Sequence, residues 1–365
     1  MSTSHKELIN KALRGNGIDA EDITHILRQE NPANIEETAK LASYVRAKFL
    51  GRQVCIHGII EFSNFCRRNC FYCGLRSENR KLGRYRLEPD TIVELATTAV
   101  KKLGYKMLVL QSGEDFYYTT DKLVSILKNI FEQCRPLVFL SIGERDAITY
   151  EKLFLAGARG VLFRFETSSR SLYEEMHPGA SFDERIGHLR FMRDIGYIIA
   201  TGPLIGLPGQ TIESYVSDIL LLRDLGAHMV SMGPVIPHPR TLFAENNVVL
   251  SCLVQKLIIA SRLALPRARI PITTAMEYLW GNDFRRTALR SGANSFMLNL
   301  TPLDIKDLYD IYPGKNKLAE HLHSTSAISE VREIAHECNM QICRGFGREF
   351  NLARQSFIAG CPMIR

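Results

Sequence analysis

A parallel (β/α)8 barrel with a helical arm before it and a helical extension after it is the α/β fold that this 365-residue sequence predicts. Three observations predict it. Eight short apolar runs alternate with amphipathic segments of helical period, which is the pattern of repeated βα units. No Pro/Gly/Ser-rich or low-complexity stretch divides the chain, and its length exceeds the ~250 residues typical of one barrel, so one large domain with appendages fits. Polar and glycine-rich residues gather just after the apolar runs, while the opposite loops are ordinary, and this polarity marks a ligand-binding mouth at the carboxyl ends of the strands.

In order, residues 5 to 50 read as the arm, with helices over Lys6 to Leu13, Ala20 to Arg28 and Asn34 to Phe49. Strands are expected at Val54 to Phe62, Met107 to Leu110, Leu137 to Ser141, Gly160 to Phe165, Tyr197 to Leu204, Met229 to Val235, Arg269 to Thr274 and Asn294 to Leu300. Helical segments between them include Thr91 to Lys102, Lys122 to Gln133, Glu184 to Ile195, Glu213 to Leu225 and Leu250 to Leu265. This assigns 1–50 to the arm, 51–315 to the barrel and 316–365 to the extension.

The formal charge of +7 is modest, and no basic stripe interleaved with aromatics accompanies it, so composition does not point to nucleic acid. The beginning, MSTSHKELINKALRG, carries charges where a signal peptide needs an apolar region, and no run approaches ~18 apolar residues. A cytoplasmic protein without membrane spans is the expectation. The nine cysteines are odd in number and only three are clustered, which suits a reducing compartment rather than a disulfide scaffold.

Those three are Cys66, Cys70 and Cys73, in a loop directly after the first strand, with Tyr72 before the last. A structural zinc site takes four ligands and most iron-sulfur clusters take four thiolates, whereas nothing near this loop completes either set. A cubane with one iron lacking a protein ligand leaves that iron free for a substrate or cofactor. A zinc knuckle and three merely buried thiols are the alternatives.

CxxxCxxC placed after a strand, with an aromatic before the third Cys, resembles the cluster loop of the radical S-adenosylmethionine (SAM) enzymes. The resemblance implies a [4Fe-4S] cluster held by Cys66, Cys70 and Cys73, and SAM chelated at the open iron and cleaved to methionine and a 5′-deoxyadenosyl radical. It implies a carboxylate for the SAM ammonium, a cation for its carboxylate and close backbone for its nucleoside. Glu114 and Glu166 are the candidate ammonium partners and Arg185 the candidate carboxylate fork. Tyr72, Gln111, Ser112, Gly202, Ile205 and Gly206 complete the candidate cofactor set.

At finer level, Ile60-Glu61-Phe62-Ser63-Asn64-Phe65-Cys66, the Gln111 to Asp115 run, Gly206-Leu207-Pro208-Gly209-Gln210-Thr211, Pro237-His238-Pro239, Thr273-Thr274-Ala275-Met276 and Leu308-Tyr309-Asp310-Ile311-Tyr312-Pro313-Gly314-Lys315 resemble the HydE-type FeFe-hydrogenase maturases. That likeness implies catalytic roles for Met297, Tyr309 and Tyr312, with Thr273 and Thr274 lining a substrate cavity. It implies a small thiol- or amino-acid-derived substrate, and a partner radical enzyme and a GTPase scaffold as fellow maturases. Three positions depart from the family pattern. His57 and Gly160 stand where an Arg is usual and Phe139 where a Thr is usual, so a smaller, more apolar cavity floor is expected. Arg159 does not restore the charge, since a one-residue shift on a strand turns a side chain to the other face. No cysteine occurs from Asn316 to Thr325, so no second cluster is expected there, and Cys338, Cys343 and Cys361 are expected to be inert thiols.

Two further readings remain open: a paralogue with the same cofactor and another substrate, such as a methylornithine synthase-type rearrangement, and a non-catalytic iron-sulfur carrier. Arg67, Arg68, Arg76, Arg80, Lys81 and Arg84 surround the cluster loop, either as a solvated face or as a dock for an acidic flavodoxin or ferredoxin.

Overall fold

The computed structural model describes residues 5–15, 17–314, 325–347 and 350. Eight parallel strands are hydrogen-bonded in barrel order. They are β1 (Gln53–Ser63), β2 (Met107–Ser112), β3 (Leu137–Ser141), β4 (Gly160–Leu162), β5 (Ile198–Thr201), β6 (Met229–Val230), β7 (Pro271–Ile272) and β8 (Ser295–Asn299). The register runs His57 beside Met107, Met107 beside Leu137, Phe139 beside Gly160, Gly160 beside Ile198 and Ala200 beside Met229, and β8 returns to β1 with Met297 beside His57. Closure between β6 and β7 rests on one parallel bridge, Met229 to Arg269, where the Val230 amide donates to the Arg269 carbonyl at 2.7 Å.

Several strands are shorter than the sequence suggests. Ladder pairing in β5 and β6 stops ahead of Gly202-Pro203 and Gly233-Pro234, because a proline has no N–H to donate. The chain then resumes as a separate two-residue pair, Leu204–Ile205 with Gly233–Pro234. Strand β7 ends at Ile272, and Thr274, expected within the strand, opens a helix instead.

The arm contains three helices, α1 (His5–Leu13), α2 (Ala20–Leu27) and α3 (Pro32–Leu50). Asp19 caps α2 in a reciprocal box with Asp22, which satisfies two otherwise orphaned amides. Buried Ile23, Ile26, Ala39 and Ala42 join the main apolar core, and Arg46 of α3 donates to the Leu289 carbonyl at 2.6 Å. The arm is thereby packed onto the outer helical layer.

The region after the barrel is not purely helical. A helix, Thr325–Glu337, is followed by a two-residue strand, Gln341–Ile342, that pairs in parallel with Gln53–Val54 at the start of β1. Phe346 and Phe350 then pack with the barrel's interior side chains, and Phe350 is 1% exposed. Alternation of apolar residues over so short a piece gives no signal of a ninth strand. Cys338 and Cys343 flank that strand; residues 316–324 and Cys361 lie outside the described residues. Among the described residues, no helix is long and apolar enough to cross a membrane.

Candidate active site

Because side chains alternate across a strand, the register sorts which residues face the interior. They form two zones. Toward the carboxyl ends, Glu61, Gln111, Ser141, Arg164, Glu166, Ser231, Thr273 and Met297 share one cavity of about 330 Å³ with Cys66, Cys70 and Cys73. Toward the amino ends, Met107, Val109, Phe139, Ile198, Ala200 and Met229 are packed with Phe350.

The cluster loop is held from several sides. Arg84 donates to the carbonyls of Asn64, Leu75, Arg76 and Asn79, and Asn64 donates to the carbonyls of Gly83 and Leu308 at 2.7 Å. The Glu114 amide lies 3.4 Å from Cys66 Sγ as a donor. Burial raises all three thiol pKa values, and the nearness of the other sulfurs adds to the rise at Cys70 and Cys73, with Cys73 pushed up to about 12. Such thiols ionise only when a cationic centre offsets the lost hydration. Among the described residues, no three His, Cys, Asp or Glu side chains are grouped closely enough for a single ion. Buried sulfurs supplied with amide N–H donors and opening on one cavity do fit a cluster. When bound, such a cluster supplies one electron and an open coordination position.

Around the loop, charges are paired. Glu114 accepts from Arg67 Nε and from Arg68 Nε at 2.9 Å, and its other oxygen accepts the Glu144 amide at 2.9 Å. Glu114 thus holds the cluster loop and also lines the cavity shared with the three thiols. Glu166, with φ at +65°, places Oε2 3.2 Å from Arg164 Nε, and that buried oxygen has no hydrogen-bond partner among the described residues. Burial raises its pKa against the opposing pull of Arg164 and Arg185. Arg185 lies 3.1 Å from Glu144 Oε1, donates to the Tyr173 hydroxyl at 2.7 Å and covers the Phe163 ring. Glu144 also pairs with Arg68, so one carboxylate joins the cluster loop to Arg185.

Tyr72 donates its hydroxyl hydrogen to His177 Nε2 at 2.7 Å, because His177 Nδ1–H donates to the Tyr173 carbonyl at 2.6 Å and fixes the tautomer. Burial lowers the His177 pKa from 6.5 to about 3 and drives that of Tyr72 well up. Arg164, Glu144 and His177 escaped the sequence reading. Their signal was only a charged or aromatic residue a few positions beyond a strand, which many surface loops share.

Of the residues expected to approach the nucleoside at the β5 end, Gly202, Ile205 and Gly206 stand behind the cavity wall, which Leu204, Gly233, Pro234, Val235 and Ile236 line. A Cβ at Gly202 would stand 2.5 Å from the Ser231 carbonyl oxygen, so that glycine serves strand packing. Ile205 is fully buried, and the Gly206 amide already donates to Gln210 Oε1 at 2.8 Å. Gln111 and Ser112 do line the cavity, with the Ser112 hydroxyl donating to the Gly113 carbonyl at 2.7 Å.

Met297, Thr273, Thr274, Tyr309 and Tyr312 also line it. The Tyr312 hydroxyl donates to Thr274 Oγ1 at 2.9 Å, whereas the buried Thr273 Oγ1 has no hydrogen-bond partner among the described residues. Glu61, unassigned by the sequence reading, accepts from Asn299 Nδ2 at 2.9 Å inside the same cavity.

His57, Phe139 and Gly160, by contrast, lie beneath the cavity rather than on its wall. A Cβ at Gly160 would come within 2.3 Å of Phe139 Cδ1, so the Phe139 ring fills the space that a side chain at 160 would take. Phe350 meets that ring from below at a centroid distance of 5.7 Å. Below this apolar layer lies a cation that the sequence reading did not place there. Buried Arg269 places Nη1 3.0 Å from His57 Nε2, donates to the Phe346 carbonyl and lies 4.0 Å over the Phe350 ring. Arg269 sat at the predicted start of β7, but nothing local showed that it points inward at the barrel's base. Arg159 donates outward to the Phe154 carbonyl, as the register argument anticipates.

A parallel barrel with three thiols after its first strand defines a radical enzyme class, and comparison with known proteins agrees. Residues 60–222 match the family model of the Radical SAM superfamily, and the chain belongs to that superfamily. It is 44% identical over 280 residues, 77% of this chain and 80% of the relative, to the [FeFe] hydrogenase maturase subunit HydE of Thermotoga maritima. It is 29% identical to 3-methylornithine synthase of Methanosarcina acetivorans, over 81% of this chain and 83% of that one. The crystal structure of methylornithine synthase (PylB) superimposes with a TM-score of 0.82 at 26% identity, covering 95% of this chain and 99% of that one. The chain is accordingly an enzyme that uses a [4Fe-4S] cluster and SAM.

Proposed function

We propose that this enzyme matures the dinuclear site of FeFe-hydrogenase, acting on a small thiol- or amino-acid-derived substrate beside other maturases. The observation that carries this reading is the shared cavity, which Met297, Thr273, Thr274, Tyr309 and Tyr312 line together with the three thiols, Glu61, Gln111 and Arg164. In this reading Cys66, Cys70 and Cys73 hold the cluster. Glu114 and Glu166 are the partners for the SAM ammonium, while Arg185 and Arg164 supply cationic charge for carboxylates. Tyr309, Tyr312 and Met297 act on the substrate, and the apolar layer beneath keeps water from the radical.

Likeness to a HydE subunit over most of both chains supports the maturation role. The test is co-production of an FeFe-hydrogenase with its other maturases and with this protein as the only member of its kind. Recovery of hydrogen evolution is the expected result, and its failure alongside intact SAM cleavage would overturn the role.

One observation favours a second reading. The filled layer of Phe139, Gly160 and Phe350 separates the cavity from Arg269 beneath it, which suits a paralogue whose substrate has an uncharged inward end. Screening amino acids for SAM-dependent rearrangement products separates the two.

For reduction, we propose an acidic flavodoxin or ferredoxin, in keeping with a cytoplasmic enzyme. Arg68, Arg76 and Arg84 are turned into the loop, so the surface left for docking is Arg67, Arg80, Lys81 and Arg86 beside Phe116 and Tyr117.

A further inference from the structure

Three segments distant in sequence meet beside the cluster loop. His238, between two prolines after β6, is 1% exposed, and its Nε2 lies 2.9 Å from Asp310 Oδ2. The Arg240 amide donates to His238 Nδ1 at 3.0 Å, so the ring hydrogen resides on Nε2 and is donated to Asp310. Gly74, the residue after Cys73, closes the triangle. Its amide donates to the Ile311 carbonyl at 3.1 Å, and a Cβ there would stand 2.0 Å from the Asp310 carbonyl oxygen and 2.6 Å from His238 Nε2. Only a glycine lets the loop pass so close.

What is held in this way is the segment that supplies both tyrosines. Tyr309 packs with Leu75, Leu82 and Tyr85 against Cys66 and Cys73, while Tyr312 packs with Ile236 of the His238 loop. The segment follows a single 3₁₀ turn, Lys306–Leu308, and belongs to no helix or strand itself. Its position depends on such ties. Neither His238 nor Asp310 lines the cavity, so both act through other residues.

We propose that His238 and Asp310 are a positioning pair that couples the seating of the cluster loop to the placement of Tyr309 and Tyr312 over the substrate. The proposal rests on the assignment of Cys66, Cys70 and Cys73 as cluster ligands. An ordered loop presents Gly74 to the pair, and the pair passes that order to 309–312. An enzyme so built completes its substrate cavity only when its cofactor is in place.

Amide hydrogen exchange, measured anaerobically on protein with and without reconstituted cluster, tests this. In the wild type, loading iron and sulfide slows exchange at least tenfold in peptides covering both 66–79 and 305–314. In His238→Ala, loading protects 66–79 alone, and His238→Gln, whose amide can donate to Asp310, restores protection of 305–314. Asp310→Ala, which removes the acceptor, carries the same expectation as His238→Ala and serves if that variant does not hold iron. Protection of 305–314 that follows cluster loading in the His238→Ala or Asp310→Ala protein, or that ignores it in the wild type, overturns the pair's role. So does loss of iron in both variants, which would make the pair part of the loop's fold. The ligand assignment fails separately, by retention of iron in Cys70→Ala.

Discussion

The two ends of the barrel interior are built from the same strands and finished in opposite ways. At the carboxyl ends the inward positions are Glu61, Gln111, Arg164, Glu166 and Thr273, and they surround an open cavity. At the amino ends the inward positions are Met107, Val109, Phe139, Ile198 and Met229, and they are filled solid, with Phe350 brought in from the C-terminal segment. Burying polar groups without partners is costly, so a barrel retains an unfilled polar end only where a ligand completes it. The filled end supplies the stability that the open end gives up, and it sets how deep a substrate reaches.

The largest way to break the comparison is at the open end. Cys70→Ala should abolish cluster binding and drop SAM cleavage to background while leaving the unfolding midpoint of the cluster-free protein nearly unchanged. Iron content, 5′-deoxyadenosine yield and denaturant melts check this. The filled end should behave the other way. Phe139→Ala should cost about 3–5 kcal/mol of stability, as deletion of a buried aromatic does. Gly160→Ala should cost about 1–3 kcal/mol by overpacking against the same ring. Because Phe139 fills the space at Gly160, the double variant should be more stable than the sum of the two costs implies. Simple additivity in urea titrations would mean that the pair is not matched.

Acid should probe both ends. Burial holds His57 and His228 below the ordinary value and His177 at about 3, with Arg269 adding to the effect at His57. These rings are neutral when folded and protonate when unfolded. Their contribution is complete above pH ~6.5 and is lost as pH falls toward the folded values, by about 1.4 kcal/mol per unit for each histidine. His177→Gln at the mouth should remove one histidine's share of that slope between pH 6 and 4. An unchanged slope in stability measured against pH would place the charge elsewhere. The smallest effect is on the rim. Reversing Arg80 and Lys81 together should slow reduction by an acidic electron donor roughly threefold to tenfold and flatten its salt dependence. Stopped-flow reduction at two ionic strengths checks it.

Legibility followed the same division. Strand periodicity and the CxxxCxxC loop are local patterns, so β1, β2, β3 and the thiols were readable, as were Thr273, Thr274, Met297, Tyr309 and Tyr312 through likeness of short motifs. The pairing of Glu114 with two arginines was not readable, because a carboxylate after a strand looks the same whatever it meets. Nor does a glycine-rich turn reveal that Ser231 stands against Gly202 and Gln210 against Gly206. The C-terminal plug gave no warning, since a two-residue strand and two phenylalanines carry no period.

By itself, the sequence determined the alternating order of strands and helices, the end of the barrel at which polar residues gather and the three clustered thiols after β1, because each is written in neighbouring residues. Only the tertiary structure decided that Arg269 lies beneath His57, that Phe139 occupies the place beside Gly160 and that His238 grips Asp310 next to Gly74. Those contacts join residues far apart in the chain, and their energies depend on shape and distance across the barrel, which no local spacing of residue types encodes.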